Sequence, residues 1–264
     1  MPVLYRKQGH TGILTLSRPE ARNCWGQDYN DGLLRHLDDA TDDDDVRSII
    51  LTGDEAGGAF SAGANLRDPK THNTRSAAAF VKRVGRARNF PSNLLADFPK
   101  PVIGAVNGPT VTGGLELALH CDFLVASERA RFGDTHARVG VVPGWGLSVL
   151  LPQAVGVRRA KEMSLTGRFL TAQEALACGL VNHVVPHDEL LPTARALAVD
   201  IVGAEQDAAR ALLAEYKQTS ATTVTEGLEI EGRLFREWSR RKFDPDAVER
   251  RRQAIVERGR SQTR

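Results

Sequence analysis

The sequence predicts an α/β core with parallel strand pairing, followed by a helical C-terminal region. Three observations predict it. Short apolar runs closed by glycine or proline alternate with segments of helical spacing through the first part of the chain. Beyond Val185 the strand pattern stops and only helical patterns follow. The chain has 264 residues, 41% of them hydrophobic and 26% charged, which suits an ordinary globular protein with a full core. The expected division is a core over residues 1–195 and a helical region over 196–264.

Val3 to Lys7 and Gly12 to Leu16 read as two strands joined across Gln8 to Thr11. Asp28 to Ala40 carries Leu33, Leu34 and Leu37 at helical spacing. The acid run Asp42 to Asp45 is too short to be a tail and reads as a solvated turn. Arg47 to Gly53 is a buried strand, and Gly57 to Asn65 a loop of small residues. Residues 66–75 are polar, and Ser76 to Leu95 reads as a helix. Pro101 to Asn107 is a second buried strand, broken by Gly108-Pro109. Gly113-Gly114 opens an apolar helix over Leu115 to His120, and Cys121 to Ser127 reads as a third strand. Helices dominate from Leu147, apart from a strand at Leu180 to Val185. Residues 189–203, 205–218 and 224–241 are helical. Asp244-Pro245 caps a last helix that runs through Val256.

Several function classes are disfavoured. The 35 basic and 33 acidic residues leave a net charge of +2, which gives no general affinity for nucleic acid. Cys24, Cys121 and Cys178 are scattered, with no CxxC pair, so neither a disulfide framework nor a zinc site is expected. Three such thiols fit a reducing cytosol. No apolar run approaches the roughly 20 residues that span a bilayer, and the N-terminus lacks a signal-peptide apolar region. The protein is expected to be soluble and cytoplasmic. Ala59 to Gly63 resembles a nucleophile elbow, but alanine stands where that turn needs glycine. Gly144 to Val149 begins like a dinucleotide fingerprint but has valine at the last position and no strand directly before it. His183 and His187 are four apart, but Pro186 keeps them off a shared helix face, so no metal site is expected.

Two glycine-rich loops remain, Ser61 to Ala64 and Thr112 to Gly114, each before an expected helix start. Helix starts leave peptide N–H groups unpaired beside the positive end of the helix dipole. Small residues there admit a ligand close to the backbone. Two such loops converging on one point supply two donors to a single oxygen, the layout of an oxyanion hole.

The surrounding motifs are specific. Ala59 to Leu66 (AFSAGANL), Pro101 to Gly108 (PVIGAVNG), Gly113 to Ala118 (GGLELA) and Cys121-Asp122 resemble the crotonase (enoyl-CoA hydratase/isomerase) superfamily. The likeness continues through Ala130 to Gly133, Gly140 to Gly144, Leu165 to Gly167, Ala172 to Ala175 and Gly179 to Val181. The resemblance implies a ββα spiral core that binds acyl-CoA, with a C-terminal helical trimerisation region. Trimers of this family often pair into hexamers. It places the oxyanion-hole donors on Ala64 and Gly113, and the first catalytic glutamate on Glu116. Glu116 lies one helical turn past Gly113 among apolar neighbours, where a buried carboxylate is costly without a partner or a task.

The second family glutamate falls in Phe132 to Arg138, and there the sequence departs. His136 takes the place of the glutamate, and Thr135 that of a proline. Histidine titrates near neutrality and still serves as acid or base. The resemblance further points to Arg22, Ala62, Asn65, Leu66 and Trp145 as substrate-binding residues. Arg22 suits a CoA phosphate, Asn65 replaces the usual aspartate, and Trp145 stands where the acyl end is shaped. The basic excess over Arg233 to Arg264, eleven residues against five acidic ones, suits the same polyanion in part.

The expected activity is hydration of a 2-enoyl-CoA by Glu116 and His136, with no metal or redox cofactor, coenzyme A being part of the substrate. The alternatives are a Δ3,Δ2-enoyl-CoA isomerase, which needs one acid/base, and a non-catalytic acyl-CoA-binding protein. The expected partners are the thioester and further copies of the chain in a homotrimer or hexamer, with no nucleic acid and no membrane.

Overall fold

The computed structural model describes residues 2–65, 95, 97–220, 222–242 and 244–262. The chain divides into two compact units, residues 1–206 and 207–264.

The first unit is built on a six-stranded sheet. Strands β1 (Val3–Gln8) and β2 (Thr11–Leu16) form an antiparallel hairpin. Gly9 turns it at φ +56, a backbone that favours glycine. Then β3 (Ser48–Gly53) and β4 (Val102–Val106) add in parallel. The sheet continues in parallel through β6 (Phe123–Ser127) and β9 (His183–Val185). A three-stranded sheet holds β5 (Pro109–Val111), β7 (Arg131–Gly133) and β8 (Phe169–Thr171).

The core follows from strand periodicity. Ile13, Ile50, Ile103, Ala105 and Val125 share one face of the large sheet, where Leu190, Ala194 and Ala198 cover them. Those three lie on one side of helix α6 (Leu190–Val202). Leu14, Leu16, Ile49 and Leu51 belong to the larger cluster with Tyr29, Leu33 and Leu37 of helix α1 (Gln27–Asp42). Each fully buried Leu or Ile contributes about 1.5–3 kcal/mol, an upper figure because unfolded chains already bury some surface.

Between β5 and α6 lie helices α2 (Gly113–Leu119), α3 (Leu147–Val155), α4 (Val157–Thr166) and α5 (Ala172–Ala177). Helix α5 starts with a capping box, Thr171 and Glu174 bonding each other's backbone N–H. The acid run is a turn in which the Asp43 and Asp45 carboxylates accept from Lys7 Nζ at 2.7 and 2.8 Å.

Some expectations change. The strand expected at Leu180 to Val185 is confined to β9, because Leu180 and Val181 turn into the core after Gly179 at φ +81. The break at Gly108-Pro109 is a change of sheet, with Pro109 starting β5. Helix α2 begins at Gly113 itself, two residues before the expected start. The helix expected over residues 76–95 lies, apart from Leu95, outside the described residues.

The second unit consists of helix α7 (Gln206–Thr219) from residue 207 onward, α8 (Val224–Lys242) and α9 (Pro245–Gln262). Within a single chain α7 and α8 bury none of their described side chains. Leu212, Leu228 and Phe235 stand exposed on them.

Candidate active site

The loop before residue 66 is held by Asn23, a buried residue at φ +55, a conformation asparagine tolerates better than most. Its Nδ2 donates to the carbonyls of Asp54 (3.0 Å) and Ala59 (2.8 Å), and its Oδ1 accepts from Arg18 N–H (3.0 Å). Ser61 Oγ donates to the Asn23 carbonyl at 2.8 Å, so this buried hydroxyl is committed to structure. Ser61 also pairs with Thr110 of β5 through its neighbours Pro109 and Val111.

Three residues later the chain pairs with Trp25. Trp25 N–H donates to the Gly63 carbonyl at 2.7 Å, and Asn65 N–H to the Trp25 carbonyl at 2.9 Å. In a parallel ladder the residue between two such bonds turns its own N–H away from that partner. The Ala64 N–H therefore faces away from Trp25. Gly63, at φ +86, is pressed against the start of α2. A Cβ there would lie 2.1 Å from Thr112 Oγ1 and 2.9 Å from the Val111 carbonyl. At Gly114 a Cβ would lie 2.3 Å from the Ser61 carbonyl. Only glycine permits this backbone-to-backbone approach, and it sets the two glycine loops on adjoining turns.

Thr112 enters α2 at φ +48 and ψ −113, a costly backbone for a β-branched residue. Its N–H is tied to the Gly133 carbonyl at 3.0 Å. Gly113 follows as the first residue of the helix, a position whose N–H has no intrahelical acceptor. A Cβ on Gly113 would meet the Trp145 ring at 2.8 Å, so that indole lies directly over this turn. Trp145 also meets Trp25 edge-on, with ring centroids 5.8 Å apart.

One turn along α2, Glu116 is 2% exposed. Its Oε1 accepts from Trp145 N–H at 2.7 Å and Leu147 N–H at 3.5 Å. Its Oε2 lies 3.6 Å from His136 Nε2. The other ring nitrogen, His136 Nδ1, lies 2.6 Å from Asp134 Oδ1, which also accepts His136 N–H at 3.0 Å. A single row thus runs Asp134, His136, Glu116, all three buried. Burial pushes the Glu116 carboxyl above its ordinary range, an effect the Trp145 N–H and His136 only partly offset. Burial also works against ionised Asp134, but the His136 imidazole, the Ser164 side chain and the His136 peptide N–H together hold its carboxyl below the usual range. His120 Nε2 bonds the Trp145 carbonyl at 2.8 Å, and burial disfavours its charged form. Residue 145 is therefore fixed by Glu116 on one side and His120 on the other.

The residues singled out in the sequence distribute as follows. Ala64, Gly113, Glu116, His136 and Trp145 belong to this connected set. Arg22 is exposed at φ +53, and its carbonyl accepts Ala62 N–H at 3.1 Å, which ties both to the base of the Gly63 loop. Asn65 is half-buried beside Trp25. Leu66 lies outside the described residues. Asn23, Trp25, His120 and Asp134 lie in no motif that marks them as site residues in the sequence. Their roles depend on contacts across the fold, and only Asp134, two residues from His136, carried a local signal.

His183 lies in β9, whereas His187 in the following turn bridges Ser127 Oγ and Glu55 Oε2, each at 2.9 Å. Among the described residues no group of three or more His, Cys, Asp or Glu side chains is set to hold a metal ion. No described helix is long and apolar enough to cross a membrane.

Comparison with known proteins is consistent along the chain. The enoyl-CoA hydratase/isomerase family model matches residues 6–262. The short-chain-enoyl-CoA hydratase of Clostridium acetobutylicum is 37% identical over 201 residues, covering 76% of this chain and 75% of that protein. The crystal structure of an enoyl-CoA hydratase from Mycobacterium tuberculosis is 46% identical, with a TM-score of 0.72, covering 88% of this chain and 94% of the other. One from Bacillus anthracis is 30% identical with a TM-score of 0.83, covering 92% of each chain.

Proposed function

The chain belongs to the enoyl-CoA hydratase/isomerase family, and from that premise we propose how it adds water across the α,β double bond of a 2-enoyl-CoA thioester. It is an enoyl-CoA hydratase-like enzyme of the hydro-lyase type. The observation that carries the mechanism is the 3.6 Å separation of Glu116 Oε2 and His136 Nε2. A water oxygen about 2.8 Å from each atom fits this gap as the apex of a triangle.

In this reading Glu116 takes a proton from the water as its oxygen attacks the β-carbon. The electron pair of the double bond moves onto the thioester oxygen as an enolate. The N–H groups of Ala64 and Gly113 receive that charge, and His136 delivers a proton to the α-carbon. A proton passing between Glu116 and His136 then restores the starting state. Loss of one oxyanion donor typically raises the barrier by about 3 kcal/mol. The chemistry is redox-neutral proton transfer, so we assign no metal or redox cofactor, coenzyme A being carried by the substrate.

We assign Arg22, Ala62, Asn65 and Leu66 to the thioester and nucleotide side, and Trp145 to the acyl end. The uncovered helices of the second unit favour a homotrimer or hexamer, and the three free thiols favour the cytoplasm.

The test is turnover of a panel of 2-enoyl- and 3-enoyl-CoA thioesters, with products identified by mass and retention. Glu116→Gln and His136→Ala should each lower kcat by about 10²-fold, with thioester affinity little changed. The double variant should lose far less than the product of the two, because both serve one step. Loss with Glu116→Gln alone, together with turnover of 3-enoyl substrates, identifies a one-base isomerase. Tight binding without turnover identifies a binding protein.

A further inference from the structure

We propose that Asp134 is a positioning residue, which fixes the His136 imidazole with its proton on Nδ1 and its bare Nε2 toward Glu116. The proposal deepens the hydratase reading and rests on it for the direction of proton flow.

The Asp134 carboxyl and the His136 imidazole meet at 2.6 Å in a site where Asp134 is 1% and His136 9% exposed. An ionised carboxylate only accepts hydrogen bonds, so the hydrogen in this contact belongs to Nδ1. A neutral imidazole has one ring N–H, so Nε2 is then a lone pair. That lone pair faces Glu116 Oε2 at 3.6 Å. A proton taken up by the Glu116/His136 pair then goes either to Nε2, giving an imidazolium beside a carboxylate, or to Glu116, giving a carboxylic acid beside an imidazole. The first is the form that delivers a proton to the α-carbon while Glu116 accepts one from water. Without Asp134 the neutral ring is free to carry its hydrogen on Nε2, where it bonds Glu116 and neither nitrogen is ready to exchange a proton above the substrate.

The surroundings leave this task to Asp134. Among the described residues the ionisable groups that meet the imidazole are Asp134 on its own segment and Glu116 from α2. Arg138, on the turn that follows, is directed to the Thr166 carbonyl at 2.9 Å. The same Asp134 oxygen accepts His136 N–H at 3.0 Å, so one atom holds both the backbone and the ring. That backbone bond is the rival explanation, because an aspartate in such a turn is often only structural.

Asp134→Asn separates the two roles. Asparagine accepts the turn's N–H about as well as aspartate, but it carries no charge and its amide can donate to Nδ1. We expect Tm to stay within a few degrees while kcat on a 2-enoyl-CoA falls about 10²-fold, the scale of acid–base catalysis, with little change in KM. In a His136→Ala background Asp134→Asn should change kcat by less than about twofold, because nothing remains to position.

A second readout is independent of turnover. Ring-¹⁵N histidine labelling, with His136 assigned by its loss in His136→Ala, should show a protonated Nδ1 and a bare Nε2 in the wild type at alkaline pH. A proton on Nε2 overturns the proposal whatever the activity. So does an Asp134→Asn loss of equal size in the His136→Ala background, which marks a structural role. Wild-type protein with the expected tautomer but no turnover of any enoyl thioester overturns the hydratase reading and leaves the tautomer assignment in place.

Discussion

Gly63→Ala tests the claim that two backbone segments, pressed together, set the positions of the Ala64 and Gly113 donors. Two costs arise. Gly63 sits at φ +86, where an L-residue costs about 1–2 kcal/mol. The new methyl would lie 2.1 Å from Thr112 Oγ1 and 2.9 Å from the Val111 carbonyl. The first contact must open by about 1 Å, and the second partner is backbone, so overpacking adds about 1–3 kcal/mol. The sum, about 2–5 kcal/mol, corresponds to a fall in Tm of roughly 5–15 °C for a unit of this size. A relative shift of about 1 Å between catalytic groups is enough to cost about 10²-fold in rate. Gly58→Ala is the matched control, because Gly58 has φ +60 but nothing within 4 Å of an added Cβ. It should show the backbone cost alone, a Tm loss of roughly 2–8 °C, with kcat unchanged. The assays are differential scanning calorimetry and hydration of a 2-enoyl-CoA. If Gly63→Ala matches Gly58→Ala in both, the contact with Thr112 does not position the donors, and the account of the oxyanion site is wrong.

Because burial raises the Glu116 carboxyl, the folded state keeps its proton longer than the unfolded chain as pH rises above the ordinary value of 4.5. Stability then falls with pH through that window, so in denaturant melts between pH 5 and 8 Glu116→Gln should gain on the wild type as pH rises, whereas a constant difference would contradict the assignment. Asp134, held low, acts in the opposite sense and only in the acid range, where its stabilisation disappears as pH falls through its lowered value. Trp145→Ala removes the ring over Gly113 and its edge-on contact with Trp25. It should cost about 1–3 kcal/mol in denaturant melts and raise kcat/KM for branched over straight-chain enoyl groups by about tenfold, and an unchanged ratio places the indole outside the acyl site. Sedimentation at micromolar concentration should show a trimer or hexamer, and a species of only 28.8 kDa refutes the role given to the second unit's apolar helices.

What the sequence reveals and what it hides divide along the range of the interactions. β2, β3 and β4 are legible because Ile13 and Leu14, or Ile50 and Leu51, point to opposite faces that are both buried, so each reads as an apolar run bounded by glycine, proline or polar residues. Helix α1 is legible because Leu33 and Leu37 repeat at its own period. β5, β7 and β8 have three residues each, too few for any period to register, and they exist through pairing with one another. The two loops proposed to hold the oxyanion show in the sequence as glycines, since close backbone approach at Gly63 and Gly114 excludes every other side chain. That Gly63 meets Thr112 while Gly114 meets Ser61 is a property of the pairing between Ser61 and β5.

The proton-transfer row shows the same division in its strongest form. Glu116 is conspicuous as a carboxylate on an apolar helix. Replacement of glutamate by histidine at position 136 reads, residue by residue, as a weakened acid/base pair. In the fold, the imidazole is backed by Asp134 at 2.6 Å and faces Glu116 at 3.6 Å. A carboxylate two residues away supplies the negative charge that the substituted side chain lacks, and it does so through a turn whose N–H bond to the same oxygen sets the geometry. In the proposed mechanism the pair of side chains that meets the water is therefore an acid and a base, with the tautomer set by Asp134. The ionisable inventory of the site still contains two carboxyl groups. Hydration requires one group that accepts a proton and one that gives it. The proposed pairing of Glu116 with an Asp134-backed His136 meets that requirement when the imidazole is protonated and Glu116 is ionised.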